Sequence, residues 1–142
     1  MRGPAYFEDF RVGDRVLTPA RTITETDLVL FGGLAGDGSG HAHRLCALGI
    51  SGGLMFLAGE RGIPRSTIVL SSLDRVRFAA PAKAGDTVHV EAQVTHTTPV
   101  DVSRGLIQMV HCMKNQRGEE ILSYTSKILA GRRPPAVESR HG

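Results

Sequence analysis

A chain of 142 residues, 41% of them hydrophobic, fits one domain able to bury roughly 70% of the surface that its unfolded form exposes. Cys46 and Cys112 lie far apart and lack metal or redox spacing, which excludes a disulfide scaffold and leaves two reduced, buried small hydrophobes. The net charge of +3 and the isoelectric point near 9.2 come from scattered basic residues. With no Trp and only two Tyr, the chain offers no stacking platform, and nucleic acid is not expected as a partner.

From the N-terminus, Tyr6 to Gly13 reads as a short apolar and acidic approach ending in the turn Val12-Gly13-Asp14. Arg15 to Ile23 is β-friendly, and Pro19 confines that strand to an edge or to a position without a ladder donor. Thr24 with Asp27 three residues on forms a capping pair for a helix whose apolar face is Leu28, Leu30, Phe31 and Leu34. That helix ends at Gly32-Gly33 or at Gly36. The stretch from Gly36 to Gly53 then places Asp37, His41 and His43 on a glycine-rich loop leading into the most apolar segment, Leu45 to Arg61. A helix apolar on every face is expected to be buried. Ser51 reads as the N-cap of its regular part, with Gly52 and Gly53 either a close-packing or kink feature or a source of free backbone N–H groups, and Glu60 lies at its end. The apolar run is shorter than the roughly 20 residues that span a bilayer, and no signal-peptide pattern opens the chain. A soluble, cytoplasmic protein without a membrane partner is expected.

Beyond Ser66 the period changes to two. Thr67 to Phe78 predicts a long strand whose parity slips near Leu73, a sign of a bulge or bend. Val88, Val90, Ala92 and Val94 alternate with polar residues as a half-buried strand does. Thr97 to Gly105 reads as a polar connection, Leu106 to Lys114 as a strand, Asn115 to Gly118 as a turn and Glu120 to Leu129 as the last strand. Short connections predict antiparallel neighbours. The whole is an α+β domain over 1–131, a four- or five-stranded antiparallel sheet wrapped around a buried central helix, followed over 132–142 by a disordered basic tail.

This order, with the segments Tyr6 to Asp14, Phe31 to Asp37, Gly52 or Gly53, Phe78 to Asp86 and Asn115 to Glu119, resembles the MaoC-like or R-specific enoyl-CoA hydratase family of the hotdog fold. The resemblance implies hydration or dehydration of a 2-enoyl or 3-hydroxyacyl thioester, CoA- or carrier-bound, by an Asp/His acid–base pair. It implies Asp37 as the carboxylate. The family's histidine falls at Ala42, with His41 on one side and His43 on the other, and the family's Asn-Pro is replaced by Ser39-Gly40. Ser51, Gly52 and Gly53 stand where the family opens its central helix and are substrate-binding candidates, with N–H donors for the thioester oxygen. Glu60 is a further candidate, since related hotdog thioesterases use a carboxylate on that helix. Other readings stand beside these: Asp37 as a turn residue, the histidines as exposed loop residues, a repurposed hotdog enzyme acting as a thioesterase through Glu60 or as a pathway-specific dehydratase or cyclase, and a hotdog protein that binds an acyl group or small molecule without catalysis. His41-Ala42-His43 lacks a third ligand at suitable spacing, so neither a metal nor another cofactor is expected. His89, His96 and His111 are read as solvent-facing or core-edge residues. The resemblance also implies a homodimer or a dimer-based larger assembly.

Overall fold

The structure, a computed structural model, describes residues 5–36 and 42–135. A 3-10 turn, Phe7–Asp9, leads to strands β1 (Arg15–Leu17) and β2 (Arg21–Thr22), helices α1 (Glu25–Ala35) and α2 (Ala42–Leu57), a second 3-10 turn (Gly59–Arg61), and the long strands β3 (Thr67–Phe78), β4 (Thr87–Pro99), β5 (Arg104–Lys114) and β6 (Glu120–Gly131). The strands form an antiparallel sheet in the order β1-β4-β5-β6-β3, with β2 also on β4. This is the hotdog architecture expected from the sequence. The single strand read over Arg15 to Ile23 is interrupted at Thr18 to Ala20, where Pro19 has no N–H to give the ladder. The polar connection read from Thr97 is instead the end of β4, which pairs as far as Pro99 with Gly105.

Alternation decides which way the sheet faces. Val88, Val90, Ala92 and Val94 of β4, Ile107, Met109 and Met113 of β5, and Leu122 and Ile128 of β6 are buried beneath α2. From α2, Cys46, Ala47, Ser51, Leu54 and Met55 pack down onto them, the i, i+4, i+8 rows that share one helix face. Burying each large apolar side chain contributes about 1.5–3 kcal/mol, so this two-layer contact is the main support of the domain.

The opposite face of α2 corrects the expectation of a helix buried all round. Leu45 is 54% exposed, and Phe56 and Leu57 are each 67% exposed, because the sheet of one chain covers one side only. α1 is likewise a surface helix: Leu28 is buried, whereas Leu30 and Leu34 are exposed. Its start is as expected, with the Thr24 hydroxyl accepting from Asp27 N at 3.1 Å and the Asp27 carboxylate accepting from Thr24 N at 2.9 Å, a cap contributing about 1 kcal/mol.

At the C-terminal end, Arg132 and Arg133, read from sequence as the start of a disordered tail, are held against the first 3-10 turn. Arg132 Nε pairs with Glu8 at 2.8 Å, Arg133 pairs with Asp9, and the two guanidinium groups lie over the rings of Phe7 and Tyr6. The rest of the tail, positions 136–142, lies outside the described residues.

Candidate functional site

The candidate acid–base residues of the sequence fall, in chain order, between the end of α1 and the first turn of α2. α1 closes at Gly36, whose φ of 69° and ψ of 23° are left-handed and whose N–H donates to Gly32 O, the role for which glycine carries no steric penalty. α2 begins at Ala42 and packs against α1. Asp37 and His41 lie outside the described residues; His43 takes its place in the first turn of α2.

The structure reassigns the other candidates. Ser51, Gly52 and Gly53 were expected to open the central helix, but α2 starts at Ala42, so all three lie in its interior. An interior N–H donates to the carbonyl four residues back and is not free for a ligand. Ser51 is 0% exposed, and its hydroxyl shares a 2.6 Å hydrogen bond with the Tyr124 hydroxyl. It ties α2 to β6 and is closed to a substrate. Gly52 is half-buried and Gly53 exposed, with no neighbour that a side chain at either position would meet.

Glu60 is committed to the fold. Its Oε2 accepts from Ala5 N at 3.2 Å and Arg65 N at 2.9 Å, and its Oε1 accepts from Arg65 Nε at 2.6 Å. The Arg65 guanidinium, helped by these backbone donors, holds the carboxyl below its ordinary range. A carboxylate with both oxygens occupied and its charge stabilised is a poor base and a poor nucleophile, which argues against the thioesterase role considered for it.

One buried polar group was missed from sequence. His111 is only 4% exposed, on the core face of β5. Its ring stacks on Tyr124 with centroids 4.4 Å apart and planes 11° from parallel, and its Nε2 shares a 2.7 Å hydrogen bond with Ser126 Oγ. Nδ1 has no partner among the described residues. Burial pushes the imidazole down to about 4, so it is neutral at pH 7. The signal was parity: His111 shares the register of Ile107, Met109 and Met113, all inside.

Two of the segments that carried the family resemblance turn out to be staples. Asp86 accepts from Lys83 N at 3.0 Å and from Gln116 Nε2 at 3.1 Å, while Gln116 Oε1 accepts from Thr87 N at 2.9 Å. The turn before β4 is thereby locked to the hairpin between β5 and β6. Asn115, 3% exposed, uses its carbonyl to cap Arg117 N and Glu119 N in that hairpin.

No family model matches the chain. It is 34% identical over 101 residues to Protein MaoC of Klebsiella aerogenes, covering 60% of this chain and 29% of that protein; the chain thus spans under a third of the curated relative it matches. Among solved structures it is similar to a monoamine oxidase regulatory protein from Archaeoglobus fulgius, with a TM-score of 0.81 and 26% identity over 94% of this chain and 98% of the other. It is also similar to the R-hydratase PhaJ1 of Pseudomonas aeruginosa, with a TM-score of 0.68 and 25% identity over 96% of this chain and 92% of the other.

Proposed function

We propose that this MaoC-like hotdog domain is a hydro-lyase that adds water to a 2-enoyl thioester or removes it from the 3-hydroxyacyl thioester, with Asp37 and His41 or His43 as its acid–base pair. The observation that supports the reading is where α1 ends and α2 begins. Gly36 closes α1 and is followed at once by Asp37, and His43 stands in the first turn of α2, against which α1 packs. The likeness to a solved R-hydratase over nearly the whole chain supports it.

In hydration, one member of the pair takes a proton from water as its oxygen bonds to Cβ, the double-bond electrons move toward the thioester, and the other member delivers a proton to Cα. Charge builds on the thioester oxygen and needs N–H donors. Gly52 and Gly53 are interior to α2, so we assign that role to the N–H groups of its first turn, which have no acceptor within the helix and adjoin the acid–base residues in the chain. Incubating the protein with crotonyl-CoA tests the reading: the enone absorbance should fall as water adds. Unchanged absorbance at high protein concentration would sink it and leave a hotdog module that binds without turnover.

We further propose that two chains pair through β3 and the exposed face of α2. β3 ends the strand order, so among the described residues its outer edge has no strand partner, and Ile68, Val69 and Leu70 on it are 55%, 48% and 51% exposed. An apolar edge of this length invites aggregation unless something pairs with it, and a second copy satisfies both edges at once. Sedimentation equilibrium should give twice the 15.2 kDa chain mass, and Leu70→Asp should shift the protein to the monomer. A wild-type monomer at micromolar concentration would rule this assembly out.

A further inference from the structure

The sheet face turned away from α2 holds a groove of about 810 Å³ whose lining includes Asp74, Arg75, His96, Gln108, Thr125 and Lys127. Four neighbouring strands contribute to it. Gln108 on β5 is the register partner of both His96 on β4 and Lys127 on β6, so these three side chains form one row across the sheet. Asp74 on β3 is the partner of Thr125 on β6, which extends the lining to the edge strand.

Both rims of this groove break the strand rule. Successive side chains on a regular strand point to opposite faces, yet Asp74 and Arg75 both line the groove, and so do Thr95 and His96. A register shift lies at each place, between Asp74 and Arg77 on β3 and between Val94 and His96 on β4. Bulges of this kind re-aim a side chain that alternation would send to the other face. At Arg75 the re-aiming carries a cost, because its φ of 54° makes it the one non-glycine residue with positive φ among the described residues. Left-handed backbone at an arginine persists only where the surrounding structure enforces it, and such residues cluster at functional sites.

The result is a surplus of positive charge. Lys127 Nζ lies 3.8 Å from Asp74, a long contact between two partly exposed groups. Arg75 is exposed and has no ion-pair or hydrogen-bond partner among the described residues. A guanidinium fork beside an ammonium matches the oxygens of a phosphate, while Gln108 and Thr125 add neutral hydrogen-bonding groups. The volume exceeds that of one phosphate group and falls within the range of small-molecule sites.

We propose that this outer groove binds a small phosphate-bearing molecule, with Arg75 and Lys127 on the phosphate oxygens. It lies on the opposite face of the sheet from α2, so it stands or falls independently of the hydro-lyase reading. It also uses the face of β3 and leaves the strand's backbone edge to pairing.

Pyrophosphate is the probe, titrated into the full chain at near-physiological ionic strength, with binding read by calorimetry and by backbone amide shifts. Saturable binding at one site per chain is expected, with the largest shifts at Thr95, Gln108 and Thr125. Lys127→Gln and Arg75→Gly should each weaken it by about tenfold or more, as loss of a charge-assisted contact does. Arg75→Gly should keep the fold, since glycine takes this φ without strain. Arg65→Gln, which removes a cation already paired with Glu60, should bind like the wild type. Failure to saturate at millimolar pyrophosphate, shifts centred elsewhere, or equal affinity in all the variants would overturn the proposal.

Discussion

Asp37→Asn is expected to lower the rate of crotonyl-CoA hydration by about 10²- to 10⁴-fold, the range that a positioned general acid or base supplies. The amide keeps the size and most of the hydrogen-bonding shape of the carboxylate but has no lone pair basic enough to take a proton from water at pH 7. Thermal melting of the variant checks that the fold is kept, so that a lost rate reports on the proton transfer. His41→Gln and His43→Gln complete the test. One of them should fall with Asp37→Asn, and the other should stay within about threefold of wild type, since only a residue acting in proton transfer carries the large factor. The outcome identifies which offset from the family's histidine position the loop adopts. Full activity in all three variants, each shown to be folded by thermal melting, would remove the acid–base assignment.

Period and punctuation carried most of the fold. The Val88 to Val94 alternation, the Thr24 and Asp27 cap, the second of the two helix stops offered, at Gly36, and the parity slip in β3 all correspond to features of the structure, because each depends on neighbours a few residues away. The readings that failed depend on distant ones. Ser51-Gly52-Gly53 looked like a helix start because serine is a favoured N-cap and each glycine in a helix interior costs about 1 kcal/mol. The burial of Ala47, Ser51, Leu54 and Met55 on the sheet outweighs that and carries α2 straight through. At Glu60 only one of the three donors, Ala5, is distant, 55 residues away; Arg65 supplies the other two from five residues on, in the irregular turn after the helix. Two of the segments that carried the resemblance, around Asp86 and Asn115, proved to be hydrogen-bonded staples of the fold. Their presence therefore supports the architecture more directly than the chemistry.

The second large effect is expected on stability, from His111 as the pH falls. Above pH 6.5 the imidazole is neutral in both the folded and unfolded chain and has no influence on the equilibrium. Below its ordinary value of 6.5 the unfolded chain takes up a proton that the folded one refuses until about 4. Stability therefore falls as pH drops through this interval and levels off, for this group, beneath it. At about 1.4 kcal/mol for each pH unit, the interval from 6.5 to about 4 amounts to about 3 kcal/mol, a large share of the 5–15 kcal/mol that holds a typical domain folded. Carboxylates such as Glu8 and Asp9 act in the same direction but only at lower pH. Their folded values lie below ordinary ones of 4.5 and 3.8, so the unfolded chain protonates them only near and below those values. The slope that His111 contributes between about pH 6.5 and 5 is therefore separate from theirs. His111→Phe keeps a ring against Tyr124 and removes both the titration and the unpartnered Nδ1, while leaving Ser126 without its bond to the ring. Its stability at pH 7 can shift either way, but urea denaturation should show the slope between pH 6.5 and 5 flattened. An unchanged slope in His111→Phe would mean that the acid sensitivity has another source and that the buried imidazole does not control it.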